Sequence, residues 1–398
     1  MTGVTPGGVR SFTGVQLALL GSGLLVNFIS FSVYPYLAVL LRDRMGLGMG
    51  QVGVVLGLAT LVQFAGGLPG AALAERLGLQ RSLLLAMVLQ TIGSLGFLVG
   101  GTWPVATVVA LFVRSAATAL YSPSVRGYTL HGAGPDERPR LVAASYATGN
   151  VGIALGPVVG ALFIHHPGGM FAVAAALHAA LTIGHALLPQ ETRDDSQVIE
   201  PVRRALHGLA VLPFAVTALT IYLYMHFYQY LSSYAEGRVP TVFFGSAMMG
   251  YSLMLVVLQP LITGRVERMR YAHAMALGFG GLAVGMIAFT GGNGLAIAAG
   301  IAAIGASTSV LFLKNALEML ARTPRSPAVV FGHQRLAEGT GACLSGLAGG
   351  QAYQAFETAR FLPGFWGAVA AQCLLLPAFV LLLLRRLRRP AITPEGSR

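Results

Sequence analysis

Leu73-Ala74-Glu75-Arg76-Leu77-Gly78-Leu79-Gln80-Arg81 is a charged, glycine-containing hairpin set between two long apolar runs. One acid and two arginines stand where one buried helix must end and the next begin. A second copy, Val266-Glu267-Arg268-Met269-Arg270, again lies between apolar runs. The step from Glu75 to Glu267 is 192 residues, close to half of the 398-residue chain. Two similar hairpins half a chain apart imply two similar halves.

Composition says what kind of halves these are. Hydrophobic residues make up 55% of the chain and charged residues 10%, and the mean hydropathy is +0.70. A soluble domain carries about 25% charged residues. This chain could not cover its surface with polar groups in water, so its medium is a lipid bilayer. The first apolar run is too long for a signal peptide and lacks a cleavage site. Cys343 and Cys373 both fall inside apolar runs and read as small core residues. The net charge of +12 is spread over short loops, which argues against a nucleic-acid partner. Lys314 is the one lysine, so a Walker-type phosphate loop is excluded.

A bilayer core needs about 20 apolar residues of helix per crossing. Twelve spans meet that need: Gly14–Leu41, Gln51–Leu73, Ser82–Gly100, Pro104–Tyr121, Leu141–Ile164, Gly169–Leu188, Val211–Leu231, Phe243–Ile262, Tyr271–Thr290, Leu295–Leu313, Leu336–Tyr353 and Leu362–Leu384. The expected fold is an all-α membrane protein with two pseudo-symmetric six-helix bundles. Residues 1–188 form the first and 209–384 the second. A charged linker, 189–208, joins them, and a basic tail, 385–398, follows. With twelve spans, 21 of the 26 basic residues fall on the side of both termini, four on the other, and Arg114 inside span four. Basic loops stay in the cytoplasm, so both termini are expected there and the protein in the inner or plasma membrane.

The hairpin with Leu73, Ala74, Arg76, Gly78 and Arg81 resembles the signature loop of the major facilitator superfamily, with Glu75 in place of an aspartate. Span five carries Gly152, Gly156, Pro157 and Gly160, similar to the glycine-proline motif of that family's drug/proton antiporter branch. Tyr34-Pro35, the Arg42-Asp43-Arg44 loop and Tyr121-Ser122-Pro123 are similar to the MdtH-like exporters. The resemblance implies alternating access about a central site lined by spans one, four, seven and ten. It also implies that Glu75, Arg76, Gly78, Arg81, Glu267 and Arg268 act as a conformational latch, an acid and arginines that bind helix ends in one state and release them in the other. Small residues four apart in span five would give one flat packing face.

Arg114 is the basic residue deep in a span, where a guanidinium is costly and must face a cavity or a partner. It looks like the family's fourth-helix arginine, which implies proton coupling; it could equally bind an anionic substrate group or serve structure. None of the fourteen acids lies inside spans one to six. Glu338, three residues after Arg335, is the best membrane-edge acid and can pair with that arginine. Histidine titrates near neutral pH, and His226 in span seven sits among Tyr222, Tyr224, Tyr228, Gln229 and Tyr230. Candidate substrate contacts are Asn27, Tyr34, Arg114, Tyr222, His226 and Gln259. Candidate proton carriers are Arg114, His226 and Glu338. The 192-residue repeat maps Tyr34 onto His226.

The function expected is proton-coupled export of a small amphipathic compound by a monomer. A proton gradient would be the energy source, with no cofactor or metal. Export of an anionic or zwitterionic metabolite such as a metal chelator, uptake by proton symport, and a non-transporting receptor are the alternatives. An enzyme is disfavoured, since no His-Glu-x-x-His, no Gly-x-Ser-x-Gly and no in-span acid pair occurs.

Overall fold

In lipid, a backbone polar group finds no water and must bond within its own segment, so each apolar run becomes a helix. The computed structural model describes residues 12–100, 103–134, 137–164, 166–190, 208–323 and 327–387. Most of the expected linker and the last eleven residues of the basic tail lie outside these. The described residues contain helices and no strand.

Among the described residues, twelve rods follow in order. Helix α1 (Gly14–Met45) opens on a capping box at Thr13 and Gln16 and tightens to a 3-10 turn at Tyr34–Tyr36, around Pro35. Helix α2 is two segments, Met49–Ala65 and Gly67–Leu77, bent by 45°. Next come α3 (Leu79–Val99), α4 (Pro104–Leu130), α5 (Arg138–Phe163) and α6 (Pro167–Ala186). The second half holds α7 (Val211–Ala235), α8 (Thr241–Arg268), α9 (Tyr271–Phe289) and α10 (Gly294–Arg322). Helix α11 runs Pro327–Leu344, then a π-helical turn at Ser345–Gly349, then Gly350–Thr358. Helix α12 is Leu362–Leu387.

By length and apolarity, ten of these helices can cross a membrane, or eleven when the bent pair counts as one. The remaining rod, α11, is less apolar because His333, Gln334, Arg335 and Glu338 occupy its first segment. Several boundaries differ from the sequence reading; α11 starts at Pro327 rather than Leu336, and α8 ends at Arg268 rather than Ile262. The first span extends to Met45, because Arg42 and Arg44 reach protein partners rather than marking a helix end. Helix α4 continues to Leu130 and α10 to Arg322, past the apolar stretch into polar turns.

The halves repeat pair by pair. Helix α1 packs on α5 as α7 packs on α11; α3 on α4 as α9 on α10; α3 on α6 as α9 on α12; α2 on α4 as α8 on α10. Between the halves, α5 packs on α8 and α2 on α11. Both seams depend on small residues, which let helices approach where lipid supplies no hydrophobic drive. A Cβ on Gly53 would stand 2.2 Å from the carbonyl oxygen of Gly346, and one on Gly346 would stand 2.5 Å from the Cα of Gly57. A Cβ on Gly245 of α8 would stand 2.8 Å from the Pro157 carbonyl oxygen of α5. Outward-facing leucines and valines such as Leu155, Val284, Leu295 and Leu374 give the apolar perimeter that a bilayer covers.

The two ends of the bundle differ. At the arginine-poor face, where α1 meets α2, the halves are tied together. Arg42 pairs with Glu357 at 2.8 Å, and the Gly50 amide donates to Gln354 Oε1 at 2.8 Å. Helix α7 packs there on Tyr34–Met45 of α1. At the arginine-rich face, α4 and α10 form no comparable seam among the described residues.

Candidate functional site

Between the halves stands a group of aromatic rings. Helical spacing puts residues four apart on one face, so α7 presents two different faces. Tyr224 and Tyr228 share one. Their rings lie 5.8 Å apart; Tyr224 stacks on Tyr251 of α8 at 6.1 Å and meets Phe312 of α10 edge-on at 5.7 Å. Tyr228 meets Phe31 of α1, across the boundary, edge-on at 6.3 Å. Phe31 in turn meets Tyr34, whose hydroxyl donates to Gln63 Oε1 of α2 at 3.1 Å. The Tyr228 hydroxyl is buried and has no hydrogen-bond partner.

Tyr222 and His226 share the other face of α7 and look into the second half. Tyr222 donates to Gln372 Oε1 of α12 at 2.7 Å. His226 is 1% exposed. Its Nδ1 lies 2.7 Å from the Tyr222 carbonyl oxygen and 3.1 Å from Ser345 Oγ at the π-helical turn. Phe365 of α12 covers its ring at 6.0 Å. Tyr34 and His226, matched by the repeat, therefore do not meet across the boundary; Tyr228 and Phe31 do. Sequence reasoning gave no role to Phe31, Tyr251 or Phe312. The four-residue spacing of Tyr224 and Tyr228 was the signal available for this aromatic face.

Arg114 lies within the first half, against Ser30 of the helix that carries Phe31. It is 2% exposed, and Gly93 makes room for it: a Cβ there would meet Arg114 Cγ at 2.4 Å. Its Nη1 donates to Ser94 Oγ of α3 at 2.8 Å, its Nη2 lies 3.5 Å from Ser30 Oγ of α1, and Phe97 faces it at 5.9 Å. Ser94 Oγ also contacts His178 Nδ1 of α6 at 3.0 Å, and His178 Nε2 has no partner. The guanidinium joins three helices, and Ser94 adds α6 through His178. Among the described residues no carboxylate pairs with it. A buried charge held by hydroxyls alone lacks a counter-charge, and an anionic group would supply one.

The remaining candidates fall in three places. Asn27 donates to its own helix at Gly23 O and packs against Gly149 and Gly152 of α5. Gln259 is half-buried on α8, two turns beyond Tyr251. Glu338 accepts from Gln334 at 3.0 Å and Arg335 at 3.1 Å, and the Arg335 guanidinium lies over Phe64 of α2. Pairing of Glu338 with Arg335 was one of the sequence readings. Gly152, Gly156 and Gly160 sit on the backbone of α1, at Leu24, Phe31 and Ser32, and the Pro157 carbonyl accepts the Tyr36 hydroxyl at 2.6 Å.

The two charged hairpins are at the surface of the arginine-rich face. Gly78, at φ 90°, lets the chain turn tightly between α2 and α3. Glu75, Arg76 and Arg81 are exposed and form no ion pair among the described residues, and the Glu267 and Arg268 side chains are likewise exposed. One basic group does hold a helix end there: Lys314 Nζ of α10 donates to the Glu267 carbonyl oxygen of α8 at 3.1 Å.

Known proteins share this fold. Among solved structures, the nucleoside transporter NupG superposes with a TM-score of 0.79, covering 93% of this chain and 100% of that one at 13% identity. An uncharacterized MFS-type transporter of Mycobacterium tuberculosis strain H37Rv is 29% identical over 193 residues, 47% of this chain and 45% of the relative. The multidrug resistance protein MdtH of Photorhabdus laumondii is 26% identical over 148 residues, 37% of each chain. These two matches span less than half the length of each relative. The Major Facilitator Superfamily model matches residues 19–241, more than half of the sequence. With two six-helix halves, a paired set of hairpins and this match, the chain belongs to the Major Facilitator Superfamily.

Proposed function

We propose that this chain exports a small amphipathic compound in exchange for protons, by alternating access between its two halves. The aromatic cluster between the halves carries this reading: rings from α1, α7, α8 and α10 meet there, in the same protein as a buried guanidinium that no carboxylate pairs with among the described residues. Stacked rings offer apolar area and cation–π contacts. The arginine-rich face is taken as cytoplasmic, so the tied arginine-poor face corresponds to an inward-facing state. The unpaired Glu75 hairpin fits a latch released in that state. The relatedness to MdtH favours export, and the family is one of transporters rather than enzymes.

A second reading has its own support. Arg114 has hydroxyl partners only, and it repels a cation held close by, so an anionic or zwitterionic metabolite suits the site as well as a cationic drug. His226 and Glu338 remain the candidate proton carriers alongside Arg114.

The test is reconstitution in liposomes with an inward acid gradient, following internal pH while cationic, zwitterionic and anionic compounds are added. Proton movement that depends on one compound and vanishes in Arg114→Ala supports coupled antiport and identifies the substrate class. Compound-driven proton flux in the symport direction would overturn the export reading.

A further inference from the structure

We propose that His178 of α6 binds a proton, and that this proton displaces Arg114 from the Ser94 hydroxyl that the two side chains share. Such a residue adds a carrier to the proton-coupled reading above, on which it rests. His178 and His185 stand seven residues apart on one face of α6. Both are buried, at 0% and 3% exposure. Their hydrogen bonds differ. His185 uses both ring nitrogens: Nδ1 lies 2.7 Å from the Leu181 carbonyl oxygen, and Nε2 lies 3.2 Å from Ser22 Oγ. That ring is held in place by its own helix and by α1. His178 uses one nitrogen, with Nδ1 3.0 Å from Ser94 Oγ, and its buried Nε2 has no partner.

The serine between the two bases decides what a proton does. A serine hydroxyl has one hydrogen and two lone pairs. Arg114 Nη1 donates to Ser94 Oγ at 2.8 Å, which leaves the Ser94 hydrogen to donate to His178 Nδ1. The neutral ring then carries its hydrogen on Nε2. An added proton goes to the remaining ring nitrogen, Nδ1. Nδ1–H and Nη1–H would then both donate to one oxygen, and the Ser94 hydrogen would lose its acceptor. Two like charges would also stand on either side of that oxygen, which disfavours both. Withdrawal of Arg114 from Ser94 relieves both costs.

Among the described residues, nothing beside this pair neutralises it. Helices α3, α4, α5 and α6 contain no acid from end to end, and Asp43, the acid of α1, is exposed at the arginine-poor face. The other titratable groups on the helices around α6 are placed elsewhere. Arg44 of α1 lies over Phe171, 5.0 Å from its ring, and donates to the Phe97 carbonyl oxygen. Tyr34 of α1 is a neighbour of Arg114. Tyr121 of α4 contacts Ser22 beside His185, and Tyr146 of α5 is exposed.

The pair also touches the helix that closes the arginine-poor face. Arg114 Nη2 lies 3.5 Å from Ser30 Oγ of α1, and the Tyr34–Met45 part of α1 packs on α7 at that face. Release of Arg114 from Ser94 therefore acts on α1 and on the closure it makes. Polar side chains mark the way in from the arginine-rich face: Gln80 donates to the His185 carbonyl oxygen at 3.1 Å, and Thr182, between the two histidines, contacts Thr91 at 3.3 Å.

The test is the distance between spin labels at Trp103→Cys in the first half and Phe361→Cys in the second, both exposed positions at the arginine-poor face. The full-length chain is purified in detergent without any compound, and Cys343→Ala and Cys373→Ala remove the native thiols. We expect the ratio of open to closed distances to rise by about tenfold or more between pH 8 and pH 5. His178→Gln should abolish that rise. Arg114→Gln should abolish it too, because it keeps the histidine and removes the charge that its proton opposes; it gives the same reading should His178→Gln not fold. His226→Gln should retain the rise. No change with pH, a change that persists in His178→Gln or in Arg114→Gln, or a change lost in His226→Gln alone overturns the proposal. The readout is conformation without flux, so compound-driven proton movement in liposomes alongside an unchanging distance would sink this proposal and leave the transport reading standing.

Discussion

Arg42 and Glu357 are 315 residues apart in sequence and join the two halves through a 2.8 Å ion pair at the arginine-poor face. Both side chains are partly exposed, at 40% and 31%. An exposed pair of this kind contributes about 0.2–1 kcal/mol. Glu357→Gln should therefore shift the balance between closed and open at that face by no more than about fivefold. Spin-label distances across the face would measure it. The exchange Arg42→Glu with Glu357→Arg should restore the original distribution.

The glycine seam between α2 and α11 should matter more. A methyl group on Gly53 or Gly346 meets backbone, which cannot swing aside as a side chain can. Gly53→Ala or Gly346→Ala should cost about 1–3 kcal/mol of stability or of closure. Disulfide cross-linking between cysteines placed on α2 and α11 should then slow sharply, although the ion pair is untouched.

Arg114→Ala should reduce substrate-dependent flux by at least about tenfold, a loss of about 1.4 kcal/mol of transition-state stabilisation, with expression retained. Arg114→Lys should recover only part of it. A lysine keeps the charge but cannot reach Ser94 and Ser30 with a planar fork. Flux assays on matched amounts of reconstituted protein decide the matter, and normal flux in Arg114→Ala would reassign the residue to structure.

Substrate affinity should separate the two faces of α7. Tyr224→Ala and Tyr228→Ala each remove ring contacts worth about 0.5–1.5 kcal/mol per aromatic pair, so each should raise KM several-fold. Tyr222→Ala should chiefly lower stability, because that tyrosine binds Gln372 inside the second half. KM from uptake into inverted vesicles, set beside Tm, distinguishes the two effects.

The helices were legible because lipid leaves the backbone no other choice, and the hairpins because charge between apolar runs has one place to go. The twofold plan could be read from Glu75 and Glu267 alone. The site was less legible. A repeat of 192 residues aligned Tyr34 with His226, yet rotation of α7 turns His226 toward Ser345 and leaves Tyr228 facing Phe31. Nothing local in the sequence fixes that rotation; it is set by what α11 and α12 offer. The contact of Gly53 with Gly346, and the hydroxyl shell of Arg114, join residues from separate helices and carry no sequence period. The polar first segment of α11 could be read as charge, but not as contact with Phe64 of the opposite half.

The π-helical turn at Ser345–Gly349 acts as a phase shifter for α11. It holds one surplus residue, and the carbonyl of Gly346, which accepts the Gly350 amide, also accepts the Tyr230 hydroxyl at 3.0 Å. Each residue of an α-helix turns the chain by about 100°. Were the surplus residue absorbed into regular α-helix, everything from Gly350 to Thr358 would swing by about that angle, and Glu357 would face away from Arg42. A single turn thus sets the azimuth of the carboxylate on which the ion pair depends, two turns away.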